Sequence, residues 1–277
     1  MVSTLRPQPP TVLSSSANPL VRRILALREK RSARRDEGAC WVEGERELTL
    51  ALRAGWPCQT LVGVVGAPLP EALLSHLPDQ ALAQVVRVES ALWSRLVLRD
   101  STESWGAILT VPERREAAEL AVRRGASCLV LDQVEKPGNV GAVLRSADAT
   151  GVQVVWLCGS STPDVGNPNV IRASLGTVFS VLCVAAAAED VRDLLHEAGR
   201  RIVAVTPDGA QLWQPGQLAR DDVLVLGSEA RGVAELWRQA SAERLALPMD
   251  GQANSLNVAQ CATVLLYDQR WGQASAT

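Results

Sequence analysis

Residues Leu245–Leu266 read L-A-L-P-M-D-G-Q-A-N-S-L-N-V-A-Q-C-A-T-V-L-L: a short apolar run, a polar loop, then an apolar segment of helical period. Pro248 removes a backbone donor and ends the run as a strand. Gly251 permits a tight bend, and Ser255 is the expected cap of a helix running through Val258, Ala262 and Leu265. Strand, loop and helix in that order make one unit of an α/β sheet. The open backbone amides of the loop suit a polar ligand, although the same pattern also describes an ordinary β-to-α connection.

Working outward, the same unit recurs upstream. Near-continuous apolar runs at Cys128–Leu131, Val152–Cys158, Val178–Val184, Ile202–Val205 and Val223–Leu226 alternate with helical patterns at Gly138–Ala149, Ala187–Ala198 and Val233–Gln239. Such runs suit a parallel sheet covered on both faces. The second half is therefore expected to be an open α/β sheet, residues 127–272, whose ligands bind outside the carboxyl ends of its strands. Pro112–Gly125 is charged and Ala-rich and reads as a helical linker, residues 113–126. Ahead of it, residues 17–112 alternate between shorter elements. These are a helix from Pro19 through Arg35, strand Cys40–Val42, helix Glu45–Ala54, strand Gln59–Val65, helix Pro70–Leu77, strand Gln84–Val88, helix Ser90–Leu96 and strand Trp105–Val111. This is a smaller α/β domain. Residues 1–16, rich in Pro, Ser and Thr, read as a disordered tail.

The chain has 277 residues, of which 47% are hydrophobic, enough to fill a sizeable core. No apolar run approaches the roughly 20 residues of a membrane span, and the start M-V-S-T-L-R-P-Q-P-P lacks the apolar centre of a signal peptide. A cytoplasmic address and no membrane partner are expected. Cys40, Cys58, Cys128, Cys158, Cys183 and Cys261 are scattered, with only His76 and His196 beside them in the composition. They read as reduced core residues, with no metal expected. The net charge of −2 hides a basic front: Arg22, Arg23, Arg28, Lys30, Arg31, Arg34 and Arg35 are opposed within their span by Glu29 alone. This is either a solvated helix face or a contact for a phosphate backbone.

Three loops fall at strand ends. The first, after Leu131, is D-Q-V-E-K-P-G-N-V-G-A-V-L-R: Gly138 and Gly141 permit close backbone approach, and Asn139 and Arg145 stand six residues apart. It matches neither G-x-G-x-x-G nor a P-loop, and a helix entry with a salt-bridged Arg remains the plain reading. In the second, V-L-V-L-G-S-E-A-R-G-V, Glu229 follows the strand end as either a helix-start charge or a functional acid. The third holds Asn254, Ser255 and Asn257.

Together P-G-N-V-G-A-V-L-R, L-G-S-E-A-R-G-V and L-P-M with S-L-N-V, reinforced by I-R-A-S-L-G at Ile171–Gly176, resemble the motifs of the SpoU/TrmH family of RNA 2′-O-methyltransferases, of the SPOUT class. The front half, with S-A-N-P-L-V-R-R-I-L-A-L and V-E-G-E-R-E-L, is similar to the L30e-like substrate-binding domain of many members. Three positions depart from the pattern: Lys136 where Asp is frequent, Asn254 where an acid is common, and Gln260-Cys261 in place of small residues.

The resemblance implies a deep trefoil knot in the C-terminal domain and S-adenosylmethionine as cofactor. The cofactor would be held at Gly227, Leu247 and Leu256, with Thr206 in A-V-T-P-D-G and Met249 nearby. It implies a catalytic set of Asn139, Arg145, Glu229, Ser255 and Asn257, a homodimer, and RNA gripped by Arg22, Arg23, Lys30, Arg31, Arg34 and Arg35. Arg145 would serve as a phosphate clamp or as the base itself; a guanidinium of pKa above about 12 favours the clamp. Asn139 would hold Arg145 or the ribose, and Glu229 would orient Arg145 or the substrate. Ribosomal RNA is the expected substrate. A tRNA ribose methyltransferase, a nucleotide-dependent oxidoreductase and a catalytically silent RNA-binding relative are the alternatives.

Overall fold

The computed structural model describes residues 12–77, 85–99 and 101–272. Its principal division falls between Pro112 and Glu113, giving two compact units. No helix among the described residues is long and apolar enough to cross a membrane.

The first unit runs β1 (Val12–Leu13), α1 (Pro19–Glu29), α2 (Arg31–Glu37), β2 (Ala39–Glu43), α3 (Glu45–Arg53), β3 (Cys58–Val64), α4 (Glu71–Leu74), β4 (Val86–Val88), α5 (Ser90–Leu96) and β5 (Trp105–Thr110). Its five strands lie in the order β1-β4-β3-β5-β2. The first three are mutually parallel, and β5 runs antiparallel to both β3 and β2. Asn18 begins α1, its Oδ1 accepting from the Leu20 N–H at 2.8 Å, with Pro19 preset for the first turn. Val21, Ile24 and Leu27 then bury one stripe of α1 against a core holding Trp41 and Ile108.

The expected tail is shorter than the sequence suggests, because Val12 and Leu13 pair with Arg87 and Val88 at the sheet edge. Residues 1–11 and Gln84 lie outside the described residues. The expected single helix through Arg35 is two helices. Lys30 takes an extended conformation (φ −111°, ψ 118°), and the chain restarts at Arg31. Arg34 is the cause visible in the packing. Its buried guanidinium donates to the Leu27 carbonyl at 2.8 Å and the Arg28 carbonyl at 3.4 Å, occupying acceptors that α1 leaves free where it ends.

The second unit runs α6 (Arg115–Arg123), β6 (Cys128–Asp132), α7 (Pro137–Thr150), β7 (Val154–Cys158), α8 (Pro168–Ala173), α9 (Thr177–Ser180), β8 (Leu182–Ala186), α10 (Ala188–Glu197), β9 (Ile202–Val205), β10 (Gln211–Leu212), β11 (Val223–Gly227), α11 (Glu235–Ala240), β12 (Glu243–Ala246) and α12 (Val258–Trp271). Seven strands in the order β10-β12-β9-β11-β6-β7-β8 are all parallel. Val130, Trp156, Ala204 and Val225 face a core completed by Leu195 and Trp237, while Leu129, Leu157, Val203 and Leu224 on the other face are buried as well. That double burial is why the strands read as unbroken apolar runs.

Three expectations change here. The stretch read as a linker is helix α6, whose Ala118 and Val122 are buried in the core of the second unit. The strand expected at Val178–Val184 begins only at Leu182; Thr177–Ser180 is helical, burying Val178 and Phe179. Short apolar runs do not distinguish the two states by periodicity. Asn257, rather than Ser255, caps α12, its Oδ1 accepting from the Ala259 N–H at 2.9 Å.

Candidate active site

Sheet order decides where a ligand fits. From β6 the chain steps outward through β7 and β8, then crosses to β9 on the far side, with β11 between β9 and β6. Asp132 and Gly227 end β6 and β11 in register, so the loops following them face one another at the point where strand order reverses.

A cluster of side chains forms there. Glu229, two residues past β11, accepts from Asn139 Nδ2 at 2.9 Å and from Asn257 Nδ2 at 2.8 Å, both at Oε1. Lys136 Nζ donates to Oε2. Asn257 Nδ2 also reaches Asn139 Oδ1 at 3.2 Å. Asn139 comes from the first turn of α7 and Asn257 from the cap of α12, and the two helices pack along each other, with the Ser146 and Thr263 hydroxyls 2.7 Å apart. The Lys136 ammonium, then the Asn139 amide, hold the Glu229 carboxyl below its ordinary range, so it stands ionised.

Beside the cluster lies a cavity of about 360 Å³ at the carboxyl ends of β9, β11 and β12. Thr206, Gly227, Leu247, Met249 and Leu256, the residues expected to hold the cofactor, all line it, as do Glu229 and Ser255. Thr206 Oγ1 is buried there within reach of the Asp208 carboxyl but makes no hydrogen bond of good geometry among the described residues, so a ligand can engage it. Gly227 is required by packing: a Cβ would sit 2.1 Å from the carbonyl of Gly232, where residues 228–232 fold back through a Ser228–Gly232 bridge. Apolar walls with a few polar groups fit an adenine-bearing ligand, read at its edge by main-chain groups.

Two residues at the site, Asp208 in the cavity lining and Asp132 at the end of β6, had no role in the sequence reading. Asp208 pairs with Arg238 through two bonds of 3.2 and 2.5 Å, and that guanidinium lowers its carboxyl to about 2. Asp132, 1% exposed, has its carboxyl raised by burial, and its Oδ2 accepts from the Ala234 N–H at 2.7 Å, fixing the far end of the loop that carries Glu229. The signal for Asp132 was its place as a charged last residue on an apolar strand; Asp208 sits in the A-V-T-P-D-G segment but gave no sign of its partner.

Arg145 stands apart from the cluster. It is exposed on α7, makes no hydrogen bond or ion pair among the described residues, and lines a separate shallow depression. The partner of Asn139 is therefore Glu229, not Arg145. Gly141, expected to admit a ligand, admits protein instead: a Cβ would lie 2.5 Å from the Cβ of Ala173. Ser255 is exposed at the cavity and caps nothing.

The basic residues of the first unit separate into groups. Arg34 is buried and structural. Arg23 donates to Glu37 and Gln59, each at 2.7 Å, and Arg35 pairs with Asp36 at 3.0 Å. Arg22, Lys30 and Arg31 are exposed. Four of the six cysteines sit in the core: Cys40, Cys128, Cys158 and Cys183 are buried, and burial pushes the last three thiols up to about 12, whereas Cys58 and Cys261 are half-buried. Cys261, at the cavity, is also raised by burial.

Residues 126–267 match the model of the SpoU rRNA Methylase family, and residues 18–107 match that of an MRM3-like substrate binding domain. Among curated relatives, the 23S rRNA (uridine(2479)-2′-O)-methyltransferase of Streptomyces viridochromogenes is 28% identical over 260 residues, covering 92% of this chain and 90% of the relative. A crystal structure of an RNA 2′-O ribose methyltransferase superposes with TM-score 0.76 at 32% identity, covering 96% of this chain and all of the other. An AdoMet-bound rRNA methyltransferase from Sinorhizobium meliloti superposes with TM-score 0.81 at 26% identity, covering 94% and 97% of the two chains.

Proposed function

Since the chain belongs to the SpoU rRNA methylase family, we propose that it methylates a ribose 2′-hydroxyl of ribosomal RNA, with 23S as the expected substrate and S-adenosylmethionine as cofactor. The observation carrying this reading is the convergence of Lys136, Asn139 and Asn257 on Glu229 at the rim of the cavity lined by Thr206, Gly227, Leu247, Met249 and Leu256. When bound, the cofactor supplies a methyl group already activated by the sulfonium charge. The protein's own tasks are alignment and the management of one proton.

In this reading the cavity holds the cofactor, with the Thr206 hydroxyl and the main chain at Gly227, Leu247 and Leu256 as polar contacts. Glu229, kept ionised, orients Asn139 and Asn257, which present their amides toward the ribose, and Ser255 shapes the loop around the cofactor. Arg145 clamps a phosphate next to the target nucleotide, and its fixed positive charge favours loss of the hydroxyl proton to that phosphate or to water as the methyl group leaves the sulfonium for the 2′-oxygen. A guanidinium holds its proton at any ordinary pH, so it acts by charge and not as base.

The remaining parts of the proposal concern assembly. The first unit contributes affinity for RNA through Arg22, Arg23, Lys30, Arg31 and Arg35; Arg34 drops out because it is buried. The outward face of α12, with Val264, Tyr267 and Trp271 exposed and the two rings 4.9 Å apart, is read as the contact of a homodimer. The passage of the chain from β12 into α12 against α7 is read as the threading of a trefoil knot. A ribosomal RNA substrate sets a cytoplasmic place of work.

The test is transfer of labelled methyl from S-adenosylmethionine to unmodified 23S ribosomal RNA and, separately, to bulk tRNA, with mapping of alkali-resistant linkages. One resistant position in ribosomal RNA is expected. Label in tRNA alone would overturn the substrate, and failure to bind S-adenosylmethionine would overturn the reaction.

A further inference from the structure

The segment I-R-A-S-L-G, Ile171–Gly176, plays no part in the chemistry described so far, yet it is tied together by its own hydrogen bonds. It closes α8 and turns into α9. Ser174 is fully buried and its hydroxyl donates to the Ile171 carbonyl at 2.9 Å, while the Thr177 hydroxyl donates to the Ser174 carbonyl at 2.9 Å. The N–H groups of Leu175 and Gly176 donate back to Arg172 and Ile171 at 3.1 and 3.2 Å. Leu175 sits at φ 52°, a left-handed backbone that a leucine seldom adopts unless its surroundings impose it.

This turn is pressed against α7. A Cβ at Gly141 would lie 2.5 Å from Ala173 Cβ and 2.7 Å from the Ser174 nitrogen, so glycine is what allows the two elements to meet. The contact brings Arg172 and Asn169, both exposed on α8, into the same depression as Arg145. Pro137, Gly138 and Leu175 complete its lining, and a Cβ at Gly138 would meet nothing within 4 Å, which leaves that part of the floor open. The lining residues include two guanidiniums and an amide but no carboxylate, and none of them lines the cofactor cavity.

We propose that Arg172, assisted by Asn169, forms with Arg145 a seat for one backbone phosphate of the substrate RNA. The proposal rests on the methyltransferase reading above and deepens it. A phosphodiester shares one negative charge between two non-bridging oxygens, and planar guanidinium forks on two adjoining elements can each take one oxygen while the Asn169 amide donates from the side. Phosphate contacts of this kind carry register and not sequence. Arg172 is thereby a positioning residue, which fixes where the target ribose lies relative to the Glu229 cluster. The hydrogen-bonded turn at Ser174–Gly176 anchors the end of the six-residue helix that carries Arg172.

The test uses the full chain, an unmodified 23S ribosomal RNA transcript and S-adenosylmethionine, with Arg172→Gln, Arg172→Lys and Asn169→Ala. Arg172→Gln is expected to raise KM for RNA about tenfold and to lower the slope of log Kd against log salt by about one. Its affinity for S-adenosylmethionine should match the parent, since Arg172 does not line the cofactor cavity. Arg172→Lys should restore the salt slope while KM stays raised, because charge returns without the fork. Asn169→Ala should raise KM by a few-fold with no change in slope. An Arg172→Gln protein with parental KM and parental salt slope would overturn the seat, as would one whose cofactor affinity falls in step. Should the parent bind RNA yet transfer no methyl, a reduced slope in Arg172→Gln would uphold the seat while the methyltransferase reading fell. A parent that binds no RNA would overturn both.

Discussion

Asn139 and Arg145 lie on the same helix, six residues apart, and their states differ completely. Asn139 is tied to Glu229 and Asn257, while Arg145 makes no bond among the described residues. The Glu229 cluster is assembled within the protein alone and borders a formed cavity, whereas the Arg145 side presents charge to solvent. In the proposed reading, one half of the site is preorganised for a small cofactor and the other is completed by the charged RNA. Preorganised groups lower the cost of ordering on binding, and an exposed arginine side chain keeps its freedom until an anion fixes it.

If that division is right, the largest loss should come from the unengaged side. Arg145→Ala is expected to lower kcat by on the order of a hundredfold to a thousandfold, with affinity for S-adenosylmethionine unchanged. Parental turnover in that variant would break the comparison outright. Next comes Glu229→Gln, which keeps the shape but removes the charge that Lys136 and the two amides address. Here kcat should fall by about tenfold to a hundredfold, and cofactor affinity should fall too, because Glu229 lines the cavity. Isothermal titration with cofactor alone separates these variants.

Gly227→Ala pushes a methyl group into the Gly232 carbonyl and should cost about 1–3 kcal/mol of stability, read as a lowered denaturant midpoint with S-adenosylmethionine affinity reduced in parallel. In the first unit, Arg34→Ala should destabilise by about 1–3 kcal/mol, because it strips buried carbonyls of their donor. Arg22→Ala should leave the melting temperature alone and reduce only the salt dependence of RNA binding. The smallest effect is expected at Asp208. Its carboxyl is depressed to about 2 by Arg238, so its stabilising contribution is present above the unfolded value of about 4 and is lost as pH falls toward 2. Asp208→Asn should remove that acid slope in a melting-temperature profile while barely changing stability at neutral pH, since the pair is exposed to solvent.

The parallel sheet was legible because strands buried on both faces leave an apolar record in the chain, and the loops after β6, β11 and β12 followed from it. Partners across those loops were not. Asn139 is close to Arg145 in sequence and far from Glu229, and spacing along one helix carries no information about a loop that arrives ninety residues later. Ser255 and Asn257 are both good helix caps, so composition alone did not choose between them. The break at Lys30 was hidden for a related reason. Lys, Arg and Glu all favour helix, and only the buried hydrogen bonds of Arg34 reveal why α1 stops. α6 was legible as a helix but not as part of the second unit's core, because alanines spaced among charges bury a narrow stripe that resembles a solvated linker.

Asn257 divides one amide group between two duties. Its oxygen starts α12 by holding the Ala259 N–H, and its nitrogen holds Glu229 and Asn139. A change at Glu229 is therefore felt as a change in how firmly α12 is anchored at its first turn. Hydrogen exchange at Ala259 becomes a gauge of the active site: exchange there should quicken when Glu229 is neutralised and slow when cofactor and substrate lock it. The enzyme carries its own reporter of occupancy at a helix start, legible without following the reaction at all.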